Sequence, residues 1–329
     1  MKVLFIGGTG VISSACADLA VQQGIDLYLL NRGQTERTVP DGANVIRGDI
    51  YDPAIGDTLD EHTWDAVVDW IAFKPEAVQR DIDFFRGRTG QYIFISSASV
   101  YQTPPSNLPV NESTLLDNPY WGYSQDKIAC EELLIQAYCD EKFPMTIVRP
   151  SHTYDATKIP LMGGYTTLQR MINGEKVVVF GDGTSLWTLT HNKDFAKGFV
   201  PLLGNAHAIG EAFHITSDEW LNWNQIYELF GQALGVQPRL VHVPSELIAA
   251  YDADIGAGLL GDKSNSMIFD NSKIKRLAPG FACTIPFSWG AREIAEWFAA
   301  DPARQVVDDE LDALFEQIIT AYESAFPGA

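Results

Sequence analysis

Positive charge is scarce in this sequence. Its 329 residues hold 23 lysines and arginines against 43 aspartates and glutamates, a formal net charge of −20 at pH 7. Such a chain repels nucleic acid and anionic lipid, so nonspecific binding to either is not expected. Part of the acid gathers near the end, in Asp301, Asp308, Asp309, Glu310, Asp312 and Glu316. Cysteine is scarce too. Cys16, Cys130, Cys139 and Cys283 show no metal-ligand spacing, and free thiols in a reducing compartment are expected. His62, His207, His214 and His242 each stand without a second ligand at metal spacing, so no metal site is expected. No apolar run approaches membrane-spanning length. The first strand pattern opens at residue 2 with no leader pattern before it, and a cytoplasmic location is expected. Repeats and low-complexity segments are absent.

What remains describes an ordinary globular chain, 46% hydrophobic and long enough for a substantial core. Val3, Leu4, Phe5 and Ile6 form an unbroken apolar run, the pattern of a strand buried on both faces. Gly7, Gly8 and Gly10 follow, and Val11 opens a helix-period pattern. A strand, a glycine turn and a helix bring free backbone N–H groups and the positive helix end to one point, which suits a pyrophosphate. Ser13 stands where a third glycine would complete the spacing. Further strands are expected at residues 26–30, 43–46, 66–69, 92–95 and 146–148, alternating with helices, and 212–215 should rejoin the same sheet. The fold class is therefore α/β, a doubly wound parallel sheet of Rossmann type with a smaller mixed α/β C-terminal substrate domain. Residues 1–150 with about 190–217 would form the dinucleotide-binding part. About 151–189 and 218–329 would form the substrate part.

In a doubly wound sheet the ligand lies at the C-terminal ends of the strands. This places Gly7, Thr9, Gly10, Val11 and Ile12 at the phosphates. Asn31 and Arg32 follow the second strand, beside the adenosine ribose. The lack of an acidic residue there, with Arg32 present and Arg37 able to assist, favours the 2′-phosphate of NADP over NAD. Asp49 could accept from the adenine amino group. Ile50, Ile71, Ala72, Phe73 and Pro150 stand at neighbouring strand ends and complete the expected cofactor wall.

Tyr123 and Lys127 are four apart on an expected helix over residues 120–139, so they share a face. A tyrosine of pKa about 10 is a poor base at neutral pH, and a lysine ammonium beside it favours the phenolate. Ser97 ends the fifth strand, where its hydroxyl can hold a substrate alcohol or carbonyl while Tyr123 moves the proton. The proline-, serine- and asparagine-rich residues 103–118 read as a long loop near this site.

The chain resembles the extended short-chain dehydrogenases, the NAD-dependent epimerase/dehydratase family, over nearly its whole length. The resemblance rests on Gly7, Gly10, Asp49, Ser97, Tyr123, Lys127, Arg149-Pro150 with Tyr154, and the segment Gly181-Asp182-Gly183-Thr184 with His191 and Asp194. It implies that Ser97, Tyr123 and Lys127 form a catalytic triad and that Lys127 also holds the nicotinamide ribose. It further implies hydride transfer at the nicotinamide and a homodimer joined through the tyrosine-bearing helix. The departures are informative. Ala98-Ser99 stands where sugar-nucleotide dehydratases of the family carry an Asp-Glu pair, which argues against 4,6-dehydration. His152 replaces an asparagine, and Trp187 an arginine, that hold a substrate diphosphate in such enzymes. Trp187 offers instead a flat face for a sugar ring, or a packed wall between domains. These departures, with Asn31-Arg32-Gly33 and the loop Gly7-Gly8-Thr9-Gly10-Val11-Ile12-Ser13, resemble an atypical branch that includes chloroplast stem-loop-binding-like proteins. Two readings follow. One is an NAD(P)-dependent epimerase or carbinol dehydrogenase/reductase on a sugar-like small molecule, with Ser97, His152 and Trp187 at the substrate. The other is a dinucleotide-binding regulator or RNA-associated scaffold without turnover.

Overall fold

The computed structural model describes residues 1–34 and 37–327. Seven parallel strands form the central sheet: β1 Lys2–Ile6, β2 Asp26–Asn31, β3 Asn44–Arg47, β4 Ala66–Asp69, β5 Tyr92–Ile95, β6 Met145–Pro150 and β7 Ala212–Ile215. Their order is β7-β6-β5-β4-β1-β2-β3, so the direction of winding reverses between β1 and β4. In such sheets the ligand crevice opens at that point, above the strands' C-terminal ends. The fold class read from the sequence is the one observed, and β7 rejoins the sheet beside β6, pairing Ala212 with Ile147.

The apolar runs explain the layers. Val3, Leu4, Phe5 and Ile6 are all fully buried because helices cover both faces of β1. The helices Val11–Gln22 and Asn192–Phe199 cover one face through Cys16, Ala17, Ala20, Phe195 and Phe199. The helices Pro75–Phe85 and Gly122–Glu141 cover the other through Val78, Ile82, Phe85, Cys130 and Leu134. Phe5, Trp70 and Phe199 lock the first layer edge to face, with ring centroids 4.9–6.2 Å apart.

A third core, built on Trp187, Trp223, Phe230 and Phe298, belongs to the C-terminal part. There Lys176–Phe180 pairs in parallel with Arg239–Val243, and His152–Tyr154 with Leu189–His191. The tyrosine-bearing helix starts at Gly122 and not near residue 120, and the late helix Phe287–Ala299 starts just after Pro286. No helix among the described residues is long and apolar enough to cross a membrane. No group of metal-ligating side chains occurs among them.

Candidate active site

One crevice runs along the C-terminal edge of the sheet as three joined cavities. The first, of about 360 Å3, is lined by Gly7, Thr9, Asn31, Arg32, Asp49, Ile50, Ile71 and Phe73. The second, about 480 Å3, shares Gly7, Thr9, Ile71 and Phe73, adds Gly10, Val11 and Ile12, and reaches Tyr123, Lys127 and Pro150. The third, about 390 Å3, shares Ile12, Tyr123 and Pro150, and adds Ser97, His152 and Trp187. The crevice thus collects the residues expected from sequence except Arg37 and Ala72. Ala72 is 1% exposed and lies beneath the wall, offering its carbonyl oxygen to Lys127.

The glycine turn is forced by its backbone. Gly7 and Gly8 have φ of +96° and +107°, a region that side chains resist. A Cβ on Gly8 would lie 2.8 Å from Leu29 Cδ2. Ser13 does more than replace a glycine: it is buried, and its Oγ accepts from the Gly10 N–H at 2.8 Å, fixing the turn. The first-turn amides of the helix Val11–Gln22 have no partner within the helix, and Val11, Ile12 and Ser13 line the second cavity. The buried Ser96 hydroxyl lines the second and third cavities and has no hydrogen-bond partner. Turn, helix end and orphaned hydroxyl fit an extended dinucleotide.

At the adenosine end, Arg32 Nη1 stands 4.0 Å from Asp49 Oδ2, and its side chain is 64% exposed. Arg37 is not beside it. Its guanidinium reaches Asp155 Oδ2 at 2.7 Å and Ser14 Oγ at 3.1 Å, and also bonds Thr157, away from the adenosine cavity. A carboxylate at hydrogen-bonding distance outcompetes the role expected of Arg37 near a 2′-phosphate.

At the reacting end, Ser97 Oγ lies 2.9 Å from Ser99 Oγ, which accepts from Ser124 at 2.7 Å. Ser99 and Ser124 are both buried, so a chain of hydroxyls fixes Ser97 from behind. Tyr123 packs against Trp121, with centroids 4.9 Å apart, and against Phe73 at 6.4 Å. Lys127 is buried, and its Nζ donates to Ala72 O and Ile95 O, both at 2.7 Å, over the rings of Phe73 and Phe94. Burial brings the Lys127 ammonium down to about 8, partly offset by Cys130, Asp69 and Glu131. The expected lowering of Tyr123 is not found. Burial pushes its phenol up, the Ser97 hydroxyl opposes this, and the Asp262 charge adds to it. Lys127 serves the two carbonyls first and stands 5.9 Å from the Tyr123 ring centre.

The third cavity favours the second of the two roles open to Trp187, a packed wall, and adds unexpected residues. Trp187 is 2% exposed, with Trp223 against it at 5.6 Å, so it forms a wall and presents no open face for stacking. Burial, with Lys263 and Lys158 nearby, holds His152 well below the usual histidine range, hence neutral at pH 7. Ala98 and Ser99 are buried beside Ser97, and neither is an acid–base pair for water loss. Lys158, Asp262, Met267 and Phe269 complete the lining. These four were not foreseen, because nothing in a loop's local pattern tells which side chain a distant segment brings to the crevice. Among the described lining residues Lys158 is the one cation.

An open parallel sheet with its crevice at the winding reversal, glycine turn at one end and serine, tyrosine and lysine at the other, places this chain among the doubly wound α/β proteins that bind their ligand at that point. It belongs to the NAD dependent epimerase/dehydratase family, whose sequence model matches residues 3–216. The chain is 25% identical over 256 residues to the Arabidopsis thaliana chloroplast stem-loop binding protein of 41 kDa b, a match spanning 73% of this chain and 65% of the plant protein. It is 26% identical over 238 residues to the UDP-glucose 4-epimerase of Lactobacillus helveticus, covering 64% of this chain and 71% of that enzyme. Among solved structures, UDP-glucuronic acid 4-epimerase from Bacillus cereus, in complex with UDP-glucuronic acid and NAD, superposes with a TM-score of 0.73 at 20% identity, covering 91% of this chain and 99% of that one.

Proposed function

We propose that this protein is an NAD(P)-dependent epimerase or carbinol oxidoreductase acting on a sugar or sugar-like substrate, with epimerisation through a transient ketone as the favoured net reaction. The observation that carries this reading is that Tyr123 stands where the second cavity, with the glycine turn, opens into the third, with Ser97. A nicotinamide, when bound, supplies the acceptor and donor of hydride. Thr9, Val11 and Ile12 at the turn, Asn31, Arg32 and Asp49 at the adenosine end, and Phe73, Lys127 and Pro150 further along would hold such a dinucleotide. Ser97 Oγ holds the substrate oxygen, Tyr123 Oη takes or gives its proton, and Lys127 supplies the nearby positive charge. The third cavity holds one cation and the Asp262 carboxyl, a composition that suits hydroxyls better than a diphosphate. The net charge of −20 weighs against carrying the stem-loop-binding name of the plant relative to this chain.

An epimerase reduces and reoxidises one cofactor molecule in each cycle, so the dinucleotide should stay bound. Mass spectrometry of purified, denatured protein is expected to find retained nicotinamide dinucleotide. Protein that emerges empty and consumes NADPH with a ketone would make the reductase the correct form of the reading.

The choice between NAD and NADP turns on Arg32, against which Asp49 acts from 4.0 Å. Arg32→Asp removes a charge-assisted contact to a 2′-phosphate worth about 1.5–3 kcal/mol. The ratio of the Kd values for NADP and NAD should rise roughly tenfold or more; an unchanged ratio removes Arg32 from cofactor selection.

In the reduction direction Tyr123 gives its proton while Lys127 stays charged. With Lys127 at about 8, kcat/KM should hold below that pH and fall roughly tenfold per unit above it. Lys127→Arg keeps its charge throughout, so the break should move upward. A break that stays in place belongs to another group.

A further inference from the structure

Beneath the floor of the crevice lies a buried acidic pair that the mechanism above does not use. Asp69 ends β4 and Asp81 lies on the helix Pro75–Phe85, and both are 0% exposed. Asp69 Oδ1 accepts from the Ile71 N–H at 2.6 Å and the Ala72 N–H at 2.8 Å. It thereby folds the chain after β4 into the turn whose Ile71 and Phe73 line the cofactor cavities. The next link is direct, because the carbonyl of the same Ala72 receives Lys127 Nζ at 2.7 Å.

Asp69 is itself held in place. Arg80 Nη2 stands 3.5 Å from Asp69 Oδ2 and bonds Asp81 Oδ1 at 2.6 Å, and the Tyr92 hydroxyl donates to Asp81 Oδ2 at 2.6 Å. The Arg80 guanidinium lies over the Tyr51 ring at 4.4 Å, and Tyr51 lines the adenosine cavity. Burial and the adjacent Asp69 charge push the Asp81 carboxyl well above its usual range, with Arg80 and Tyr92 opposing.

Building on the enzymatic reading, we propose that Asp69 is a positioning residue for Lys127, its carboxylate fixing the turn whose Ala72 carbonyl holds the ammonium at the catalytic tyrosine. Burying two carboxyl groups, both 0% exposed, around one arginine is costly. They are kept here because one arrangement serves both the cofactor wall and the lysine. The groups acting on Lys127 are Cys130 and Glu131 from its own helix and Asp69 from the end of β4, all favouring the ammonium, while Phe73 and Phe94 place their rings beneath it. Asp69 is the one charge among them that comes from outside that helix.

The test reads Lys127 itself in the cofactor-free full-length protein. Competitive acetylation with trace anhydride across pH, followed by peptide mass spectrometry, gives the titration of this single amine. In the wild type it should titrate near 8. Asp69→Asn keeps an oxygen for the two amides but removes the charge, and should lower the Lys127 titration by about one unit, a roughly tenfold change in its neutral fraction at fixed pH. Asp69→Ala also frees the turn, and should lower it further while weakening NAD binding. Circular dichroism establishes that each variant is folded, and if the alanine variant is not, the asparagine variant carries the test alone. A wild-type titration in folded Asp69→Asn overturns the proposal. A shifted titration in a protein that binds no dinucleotide and turns over no carbinol would leave Asp69 as the anchor of Lys127 while overturning the enzymatic reading.

Discussion

Replacing Glu131 with alanine should destabilise the fold by about 3–5 kcal/mol, the largest stability effect expected of a single substitution here. Glu131 is 0% exposed on the helix Gly122–Glu141, and its Oε1 and Oε2 receive Arg149 Nε at 2.9 Å and Nη2 at 2.5 Å. Among the described residues Arg149, 4% exposed at the end of β6, otherwise meets the Glu112 carbonyl at 3.3 Å and the Tyr101 ring at 4.9 Å. Truncating the glutamate therefore leaves a buried guanidinium without its counter-charge. The cost arises from that stranded ion and not from the pair's own strength, since a well-packed apolar replacement of both members is often neutral or better. Urea unfolding of Glu131→Ala should show the loss, and Glu131→Leu combined with Arg149→Met should recover most of it. If the double variant is as unstable as the single one, the pair is worth more than its desolvation and the explanation is wrong. The same bond fastens the helix bearing Tyr123 and Lys127 to the strand that ends in Pro150, so folded Glu131→Ala should also lose activity.

That pair marks the boundary of what could be read from residues alone. Charged side chains are rarely buried unless paired, and nothing in the local pattern around Glu131, Asp69 and Asp81 marks them as buried. Glu131 is met by Arg149, 18 positions on, and Asp81 by Tyr92, 11 positions on, as well as by its neighbour Arg80, with no periodicity to betray the distant contacts. By contrast, the run Val3 to Ile6 with the glycines after it specifies a strand, a turn and a helix within thirteen residues, and the structure has them there. The Tyr123–Lys127 spacing is equally local, because a helix turn alone brings the two together. The lysine's environment is not local. Its ammonium is oriented by the carbonyls of Ala72 and Ile95 from two other strand ends, and burial of the Tyr123 phenol pushes its pKa up where a fall was expected. Arg37 shows the same limit from the other side: its charge and its nearness to Arg32 in sequence suggested the adenosine phosphate, but Asp155, 118 positions on, holds it.

Tyr123→Phe is expected to lower kcat by roughly a thousandfold, within the range that proton transfer by a positioned side chain contributes, while leaving dinucleotide binding and stability near the wild type. The ring is held by Trp121 and Phe73, contacts that phenylalanine preserves, so the variant removes one oxygen and little else. Ser97→Ala should cost less, because the hydroxyl polarises the reacting oxygen without moving its proton, and its removal leaves the Ser99–Ser124 hydrogen bond intact behind it. Single-turnover kinetics with a bound dinucleotide separate these losses from any change in binding. The decisive comparison is with Asp262, the carboxyl lining the third cavity, which burial pushes up from its usual range while Lys263 opposes. If Tyr123→Phe retains turnover to within tenfold and Asp262→Asn abolishes it, the proton moves through the carboxyl and the phenol serves only as a wall. If the phenylalanine variant is silent and Asp262→Asn merely raises KM, the tyrosine moves the proton and the aspartate holds a hydroxyl of the substrate.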